Sequence, residues 1–502
     1  MGNKQVHKWM MAAAVSAMVF GSSANYINAE EQKVEKPKNI IMMIGDGMGA
    51  PYTTAHRYIK DDPETIEMEP TSFDSHLVGM QSVYSADPHH DGGEDDVKEN
   101  IPDSAATATS MSSGVKTYNG AIAVDLDQHE TKTVLEQAKE IGKSTGLVAT
   151  SQINHATPAA FGTHDPSRQN YNEIADDYYD EMVKGEHKVD VLLGGGTDYF
   201  ERKDRDLTKE FQKDGFNYVT TAKEMEASKS DQLLGLFAPV GLDKAIDRPA
   251  EQPSLEQMTT KAIETLDKKE EGFFLMVEGS QIDWAGHDND IVAAMSEMDD
   301  FEKAFQKAIE FAEADGETLV VTTADHSTGG LSIGADGPYT WDTEVIKAAK
   351  HTPDFMAAQI VEEGKEVRQT LEDNIAFDVS DKEVAAVEEA MKSASEEDRL
   401  TEVDNSIERI FNKRSGTGWT TDGHTGVDVP VYAYGPGSDL FAGHIDNTDQ
   451  AKNFFQLLKT SDEEGGELAD TSAAYPAGIV LGAVIAGAGG ILLFRRRQMN
   501  KA

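Results

Sequence analysis

Cysteine is absent from all 502 residues. Disulfides and thiolate ligands are thereby excluded, so any bound metal must rest on His, Asp, Glu and hydroxyl groups, a donor set that suits zinc and magnesium. Basic residues are scarce as well: 45 Lys and Arg stand against 90 Asp and Glu, giving a formal net charge of −45. A surface of that sign repels nucleic acid and anionic membranes, which argues against a nucleic-acid-binding role. The same charge keeps a protein hydrated in concentrated salt, where self-repulsion is screened within a few ångströms, and a halophilic habit is the expectation. Aromatic residues make up only 7% of the chain, but 39% hydrophobic content over this length can bury one large core or two to three ordinary ones.

Long uncharged runs are missing from the interior and present at both ends. Lys4, His7 and Lys8 precede the apolar run Trp9 to Phe20, and small residues up to Ala24 and Ala29 offer cleavage points, the pattern of a secretory signal over residues 1–29. A charged spacer, 30–38, follows. Tyr475 to Phe494 carries no charge and is followed by Arg495-Arg496-Arg497 and a basic tail, 495–502, as in a membrane span with a positive cytoplasmic flank. Residues 461–474 read as an acidic linker ahead of it. The expected product is exported and held at the cell surface or membrane, facing outside.

Between these ends, residues 39–460 read as one catalytic domain. Asn39 to Ile44, Thr145 to Thr150, Val189 to Leu193, Phe273 to Val277 and Thr318 to Thr323 are apolar runs, several of them continuous, as expected of strands buried on both faces of a mostly parallel sheet. Val429 to Tyr434 is a further strand. Helical spacing occurs over Thr131 to Ile141, Asn172 to Lys184, Leu255 to Leu266, Asp288 to Ala314 and Asp449 to Leu458. Residues 331–418 shift to acidic helices, including Asp381 to Lys392 and Glu402 to Asn412, and read as an insertion. The polar stretch between Tyr84 and Asn100 reads as a solvated loop. Gly194-Gly195-Gly196 reads as a turn, since it lacks the Lys-Ser/Thr of a phosphate-binding P-loop.

Chemistry-bearing residues gather where strands end. Asp46 follows the first strand, between two glycines. Glu278 and Asp283 follow the Phe273 strand, and His287 lies four residues after Asp283, one helical turn away and within reach of the same ion. Asp325 and His326 follow the Thr318 strand, and His424 sits in Gly423-His424-Thr425-Gly426. In open α/β sheets the ligand site lies outside the carboxyl ends of the strands. Taken singly, each could be a turn or surface residue, and His56, His76, His129, His164, His187, His351 and His444 are taken as loop histidines. Ser104, in Asp103-Ser104-Ala105-Ala106-Thr107-Ala108-Thr109, opens an expected helix whose unpaired N–H groups and dipole favour an anion; as a nucleophile it would need a base or metal, and alone it could be a capping serine. Arg168, after Asp165-Pro166-Ser167, could offer a bidentate fork to phosphate.

Together, Gly45-Asp46-Gly47-Met48-Gly49, the Asp103 to Thr109 stretch, His155-Ala156-Thr157-Pro158-Ala159, Glu278 to Asp283, Ala324-Asp325-His326 and Gly423 to Gly426 resemble the motifs of the alkaline phosphatase family, in family order. The resemblance covers about Asn39 to Leu458. It implies an α/β sheet sandwiched by helices, with the insertion corresponding to a crown region, and a homodimer. It also implies a phosphomonoesterase with two zinc ions and one magnesium ion per subunit, acting on small phosphomonoesters through a phosphoserine. By motif, Ser104 would be the nucleophile and Arg168 the phosphate clamp; Asp283, His287 and His424 would hold one zinc, and Asp46, Asp325 and His326 with Ser104 the other. Magnesium would take Asp46, Thr157 and Glu278, with His155 and Trp284 as third-site neighbours where enterobacterial members carry Asp and Lys. A sulfatase on the same scaffold would need a C/S-x-P-x-R motif, which Ser104 lacks, and a diesterase would generally lack an Arg168-type clamp. A non-catalytic metal- or phosphate-binding protein would keep every ligand and turn nothing over. Leu468-Ala469-Asp470-Thr471-Ser472 resembles a degenerate cell-wall sorting signal, so attachment to membrane or wall through the tail is expected.

Overall fold

Ten strands form the central sheet of the computed structural model: β1 Asn39–Gly45, β2 Leu77–Ser82, β3 Ser144–Gln152, β4 Val191–Gly195, β5 Asn217–Val219, β6 Leu233–Leu236, β7 Phe273–Gly279, β8 Thr318–Ala324, β9 Val429–Tyr434 and β10 Gly443–Asp446. Their order is β10-β2-β9-β8-β1-β7-β3-β4-β6-β5, and only β9 runs against its neighbours. The structure describes residues 35–62, 64–86 and 99–460. The signal, the sorting-like motif, the apolar C-terminal run and most of the polar loop after Tyr84 lie outside those residues. Among the described residues no helix is long and apolar enough to cross a membrane.

The central strands β1, β7 and β8 are buried at every position, which is why their sequences are continuous apolar runs and not alternating ones. Their parallel register levels the carboxyl ends: Gly45 pairs with Gly279 on one side and Ala324 on the other. The next residues, Asp46, Ser280 and Asp325, therefore emerge side by side at the same edge. Sequence spacing placed six of the ten strands. The other four, β2, β5, β6 and β10, are short or interrupted by glycine, as at Gly79, where a Cβ would meet the Gly443 carbonyl oxygen at 1.9 Å. β4 runs on through Gly195 instead of turning at Gly194, because Gly194 pairs with Leu236 and Gly195 with Gln152; a Cβ on Gly195 would meet the Val240 carbonyl oxygen at 1.6 Å.

Helices α1 Ala50–Lys60, α2 Ser104–Ser113, α3 Ala156–Gly162, α4 Leu255–Leu266, α5 Gln281–Asp288 and α6 Ile291–Asp315 flank the sheet. The helix expected over Asp288 to Ala314 is α6, which starts three residues later, at Ile291. Asn289 takes a left-handed φ of 60°, closing α5, and Asp290 caps α6 through Val292 and Ala293 N–H. His56 is not a loop residue: it lies in α1, fully buried, with Nε2 2.8 Å from Glu302 of α6. The inserted segment is closed at its base by pairing of Ser332–Ile333 with Thr417–Gly418. Between them the helices α7 Pro353–Val361 and α8 Arg399–Ser415, among others, bury Met356, Ile360, Leu371, Val403, Ile407 and Phe411. Just beyond, His424 pairs with Thr328 in a short antiparallel ladder, which returns the chain to the edge where Asp325 emerges.

Candidate active site

Ser104 occupies the first turn of α2 and is 2% exposed. Asp103 caps that helix by accepting the Ala106 N–H at 2.9 Å, so Ser104 is held at the positive end of the helix dipole. Its Oγ lies 3.2 Å from His326 Nε2. The same nitrogen is 3.0 Å from Asp325 Oδ2 and 3.6 Å from Asp46 Oδ1, all three residues being fully buried. Asp325 is fixed from behind by the Gly47 and His326 N–H groups, at 3.0 and 2.9 Å on Oδ1.

A second group stands beside the first. Asp283 and His287, on one face of α5, approach to 3.3 Å, and His424 Nε2 lies 3.6 Å from Asp283. The Nε2 atoms of His287 and His424 are 3.1 Å apart. Their Nδ1 atoms are turned outward to backbone carbonyls, of Asp422 at 2.5 Å and Pro102 at 2.8 Å. Two imidazole nitrogens aimed at one point, with their other nitrogens fixed by carbonyls, form the usual setting of a metal ligand pair. His326 stacks on His424 with ring centroids 3.6 Å apart, so the two groups share a wall.

Below them lies a third group, in which Asp46, His155 and Glu278 bring ligand atoms within 4.8 Å of one another. Both oxygens of Asp46, both of Glu278, Thr157 Oγ1 and His155 Nδ1 are buried with no hydrogen-bond partner. Orphaned buried carboxylates are costly, and a cation of the right size would satisfy them. The chemistry of the donors fits as well: nitrogen and oxygen in the first two groups, chiefly oxygen in the third.

The electrostatics follow from this crowding. Burial, then the charges of Asp325, Asp283 and Glu278, push the Asp46 carboxyl well up, and burial lifts Glu278 to about 7. Burial also acts on Asp283, but the hydrogen bond from His287 and the neighbouring imidazoles outweigh it and hold the carboxyl below the usual range. In return the Asp283 bond raises His287 to about 9. Burial brings His424 down to about 4, and burial with the nearby Arg168 brings His155 down to about 3. A neutral His155 can accept, and Arg168 donates to its Nε2 at 3.1 Å and to Asp103 at 3.0 Å.

All the expected site residues thus meet at one place: Asp46, Ser104, His155, Thr157, Arg168, Glu278, Asp283, Trp284, His287, Asp325, His326 and His424. Trp284 stands edge-on to His155 with centroids 5.9 Å apart and covers Gly241, where a Cβ would strike its ring at 2.5 Å. Sequence reasoning missed the supporting shell: Asp103 as the partner of Arg168, and Thr328. For Asp103, an acidic cap ahead of a candidate nucleophile was a usable signal.

Comparison with known proteins gives the family. Residues 37–460 match the family model described as alkaline phosphatase. The chain belongs to the alkaline phosphatase family. Alkaline phosphatase 3 of Bacillus subtilis (strain 168) is 58% identical over 462 residues, covering 90% of this chain and 97% of that protein. The crystal structure of a cold-active alkaline phosphatase from the psychrophile Shewanella sp. superposes with a TM-score of 0.76 at 42% identity, over 84% of this chain and 100% of that one. A mutant of the alkaline phosphatase from the Antarctic bacterium TAB5, with Mg bound in the M3 site, matches with a TM-score of 0.59 at 28% identity, over 85% and 99%. The chain is accordingly an enzyme of phosphomonoester hydrolysis.

Proposed function

We propose that hydrolysis proceeds in two displacements at one site, through a phosphoserine on Ser104. Asp283, His287 and His424 would hold one zinc, Asp46, Asp325 and His326 with Ser104 a second, and Asp46, Thr157 and Glu278, beside His155 and Trp284, a magnesium ion. When bound, these ions supply positive charge that favours the ionised serine and water nucleophiles at alkaline pH and offsets charge on the phosphoryl oxygens. Arg168, with two of its donors spent on Asp103 and His155, keeps three N–H groups for phosphate oxygens. Ser104 Oγ forms a bond to phosphorus as the ester P–O bond breaks, and the leaving alkoxide takes a proton from water. A water oxygen then attacks the same phosphorus, the bond to Ser104 breaks, and inorganic phosphate departs. The observation that carries this reading is the serine hydroxyl at a helix N-terminus, 3.2 Å from an imidazole beside buried carboxylates that lack partners. Export, tail anchoring and a homodimer with the insertion as its crown complete the proposal.

The test is chelation of the purified protein, followed by restoration with zinc and magnesium while p-nitrophenyl phosphate turnover is followed at alkaline pH. Acid quenching with labelled substrate should leave phosphate on the peptide containing Ser104. Full activity after exhaustive chelation, or label on another residue, would overturn the reading.

A further inference from the structure

Each of the three imidazoles turns Nε2 toward the site, and each must commit its Nδ1 elsewhere to do so. His287 and His424 use backbone carbonyls, which no substitution removes. His326 has no such carbonyl: its Nδ1 faces the hydroxyl of Thr328 at 3.3 Å. That hydroxyl has one proton, and its shorter contact is with Asp283 Oδ1, an acceptor that belongs to the other group. With the proton given to Asp283, only a lone pair is left for His326, so Nδ1 must carry hydrogen, and Nε2, 3.0 Å from Asp325 Oδ2, is left as the nitrogen that would face a metal. We propose that Thr328 is a positioning residue that fixes His326 in its Nδ1–H tautomer and ties the two ligand groups together through a single hydroxyl. This rests on the metal-holding role proposed above.

The surroundings are built around that hydroxyl. Thr328 is fully buried, its carbonyl accepts the Tyr52 hydroxyl at 2.8 Å, and its N–H donates to Gly47 at 3.3 Å. A Cβ on Gly47 would come within 2.7 Å of Thr328 Oγ1, and one on Gly286 within 2.9 Å of Thr328 Cβ. Glycine at both positions thus leaves the space that the Thr328 side chain fills.

Two variants of the full chain separate the hydroxyl from the packing. Thr328→Val keeps the shape and loses the relay, whereas Thr328→Ser keeps the relay and loses the methyl group. Chelator competition on zinc-loaded protein should show Thr328→Val weakened by about 10–100-fold, the usual cost of removing a partner behind a metal ligand, with Thr328→Ser close to wild type. Equal affinity in the valine variant, or a serine variant as weak as valine, overturns the proposal. Nitrogen-15 histidine NMR of the metal-free wild type gives an answer that does not depend on any variant folding. His326 Nδ1 is expected to carry hydrogen, with or without a second one on Nε2 facing Asp325, and an Nδ1 without hydrogen would refute the relay. Wild-type protein that takes up no zinc would sink the functional reading itself, a result distinct from wild type and valine variant binding zinc alike.

Discussion

Ser104 and Arg168 act on the same phosphate by different means, and their variants should fail differently. Removing the Ser104 hydroxyl deletes the atom that bonds to phosphorus and leaves Arg168 in place to bind. Ser104→Ala should lose about 10³-fold or more in kcat while still binding inorganic phosphate, measured as competitive inhibition of any residual turnover. Arg168→Lys keeps a positive charge but cannot reach Asp103, His155 and phosphate together, because an ammonium group lacks the planar fork. Its loss should be about 10-fold or more and fall mainly on KM and phosphate affinity, read from saturation curves. At this scale the ligands were legible because they follow strand runs or repeat at one helical turn, as Asp283 and His287 do. Thr328 was not legible. A threonine two residues after His326 has no periodicity to mark it, and its role appears only when Asp283 is brought in from a different element.

Elements set where these residues meet, and the insertion shows what an element tolerates when no motif constrains it. α8 places Asp404 and Glu408 one turn apart on its buried side, 7% and 4% exposed, facing Asp290 at the cap of α6 and Asp354 in α7. Asn412, a further turn along, anchors that face by donating to the Asn289 carbonyl at 2.9 Å. Burial, and then Glu408, pushes the Asp404 carboxyl up to about 11; burial, and then Asp290, pushes Glu408 up to about 9. The folded chain therefore keeps protons that the unfolded chain releases near pH 4. Stability from this cluster is fully present below about pH 4 and is lost progressively above it, up to about 9 for Glu408 and about 11 for Asp404. Asp404→Asn, which needs no proton, should raise Tm at pH 9 and change it little at pH 5. An equal shift at both values would show that the cluster does not titrate in this window. The helices themselves were legible from their acidic composition, but their mutual approach was not, because a run of carboxylates reads as a solvated surface until a neighbouring helix covers it.

For the whole molecule the decisive quantity is the excess of acid over base. Many of the cations are already engaged: Arg205 grips Asp180 and Glu210, Lys188 sits against Glu136 and Glu181, and Arg414 holds Glu383. Pairing on that pattern still leaves a formal charge of −45 unmatched, and the folded state confines it in a smaller volume than the unfolded chain does. Added salt shortens the screening length from about 10 Å at 0.1 M to about 3 Å at 1 M, so it should relieve the folded state more than the unfolded one. Melting temperature should therefore climb between 0.1 and 1 M with NaCl and KCl alike, since screening depends on ionic strength and not on the cation chosen. The more exposed of these pairs, such as Arg205 with Asp180, would weaken over the same range, but exposed pairs contribute at most about 1 kcal/mol each, so the long-range repulsion should dominate. A flat or falling Tm in both salts would mean that the acidic surface is balanced locally. Ser104→Ala should give the same salt response as wild type, because the repulsion is spread over the surface and the serine is a neutral buried residue at the sheet edge.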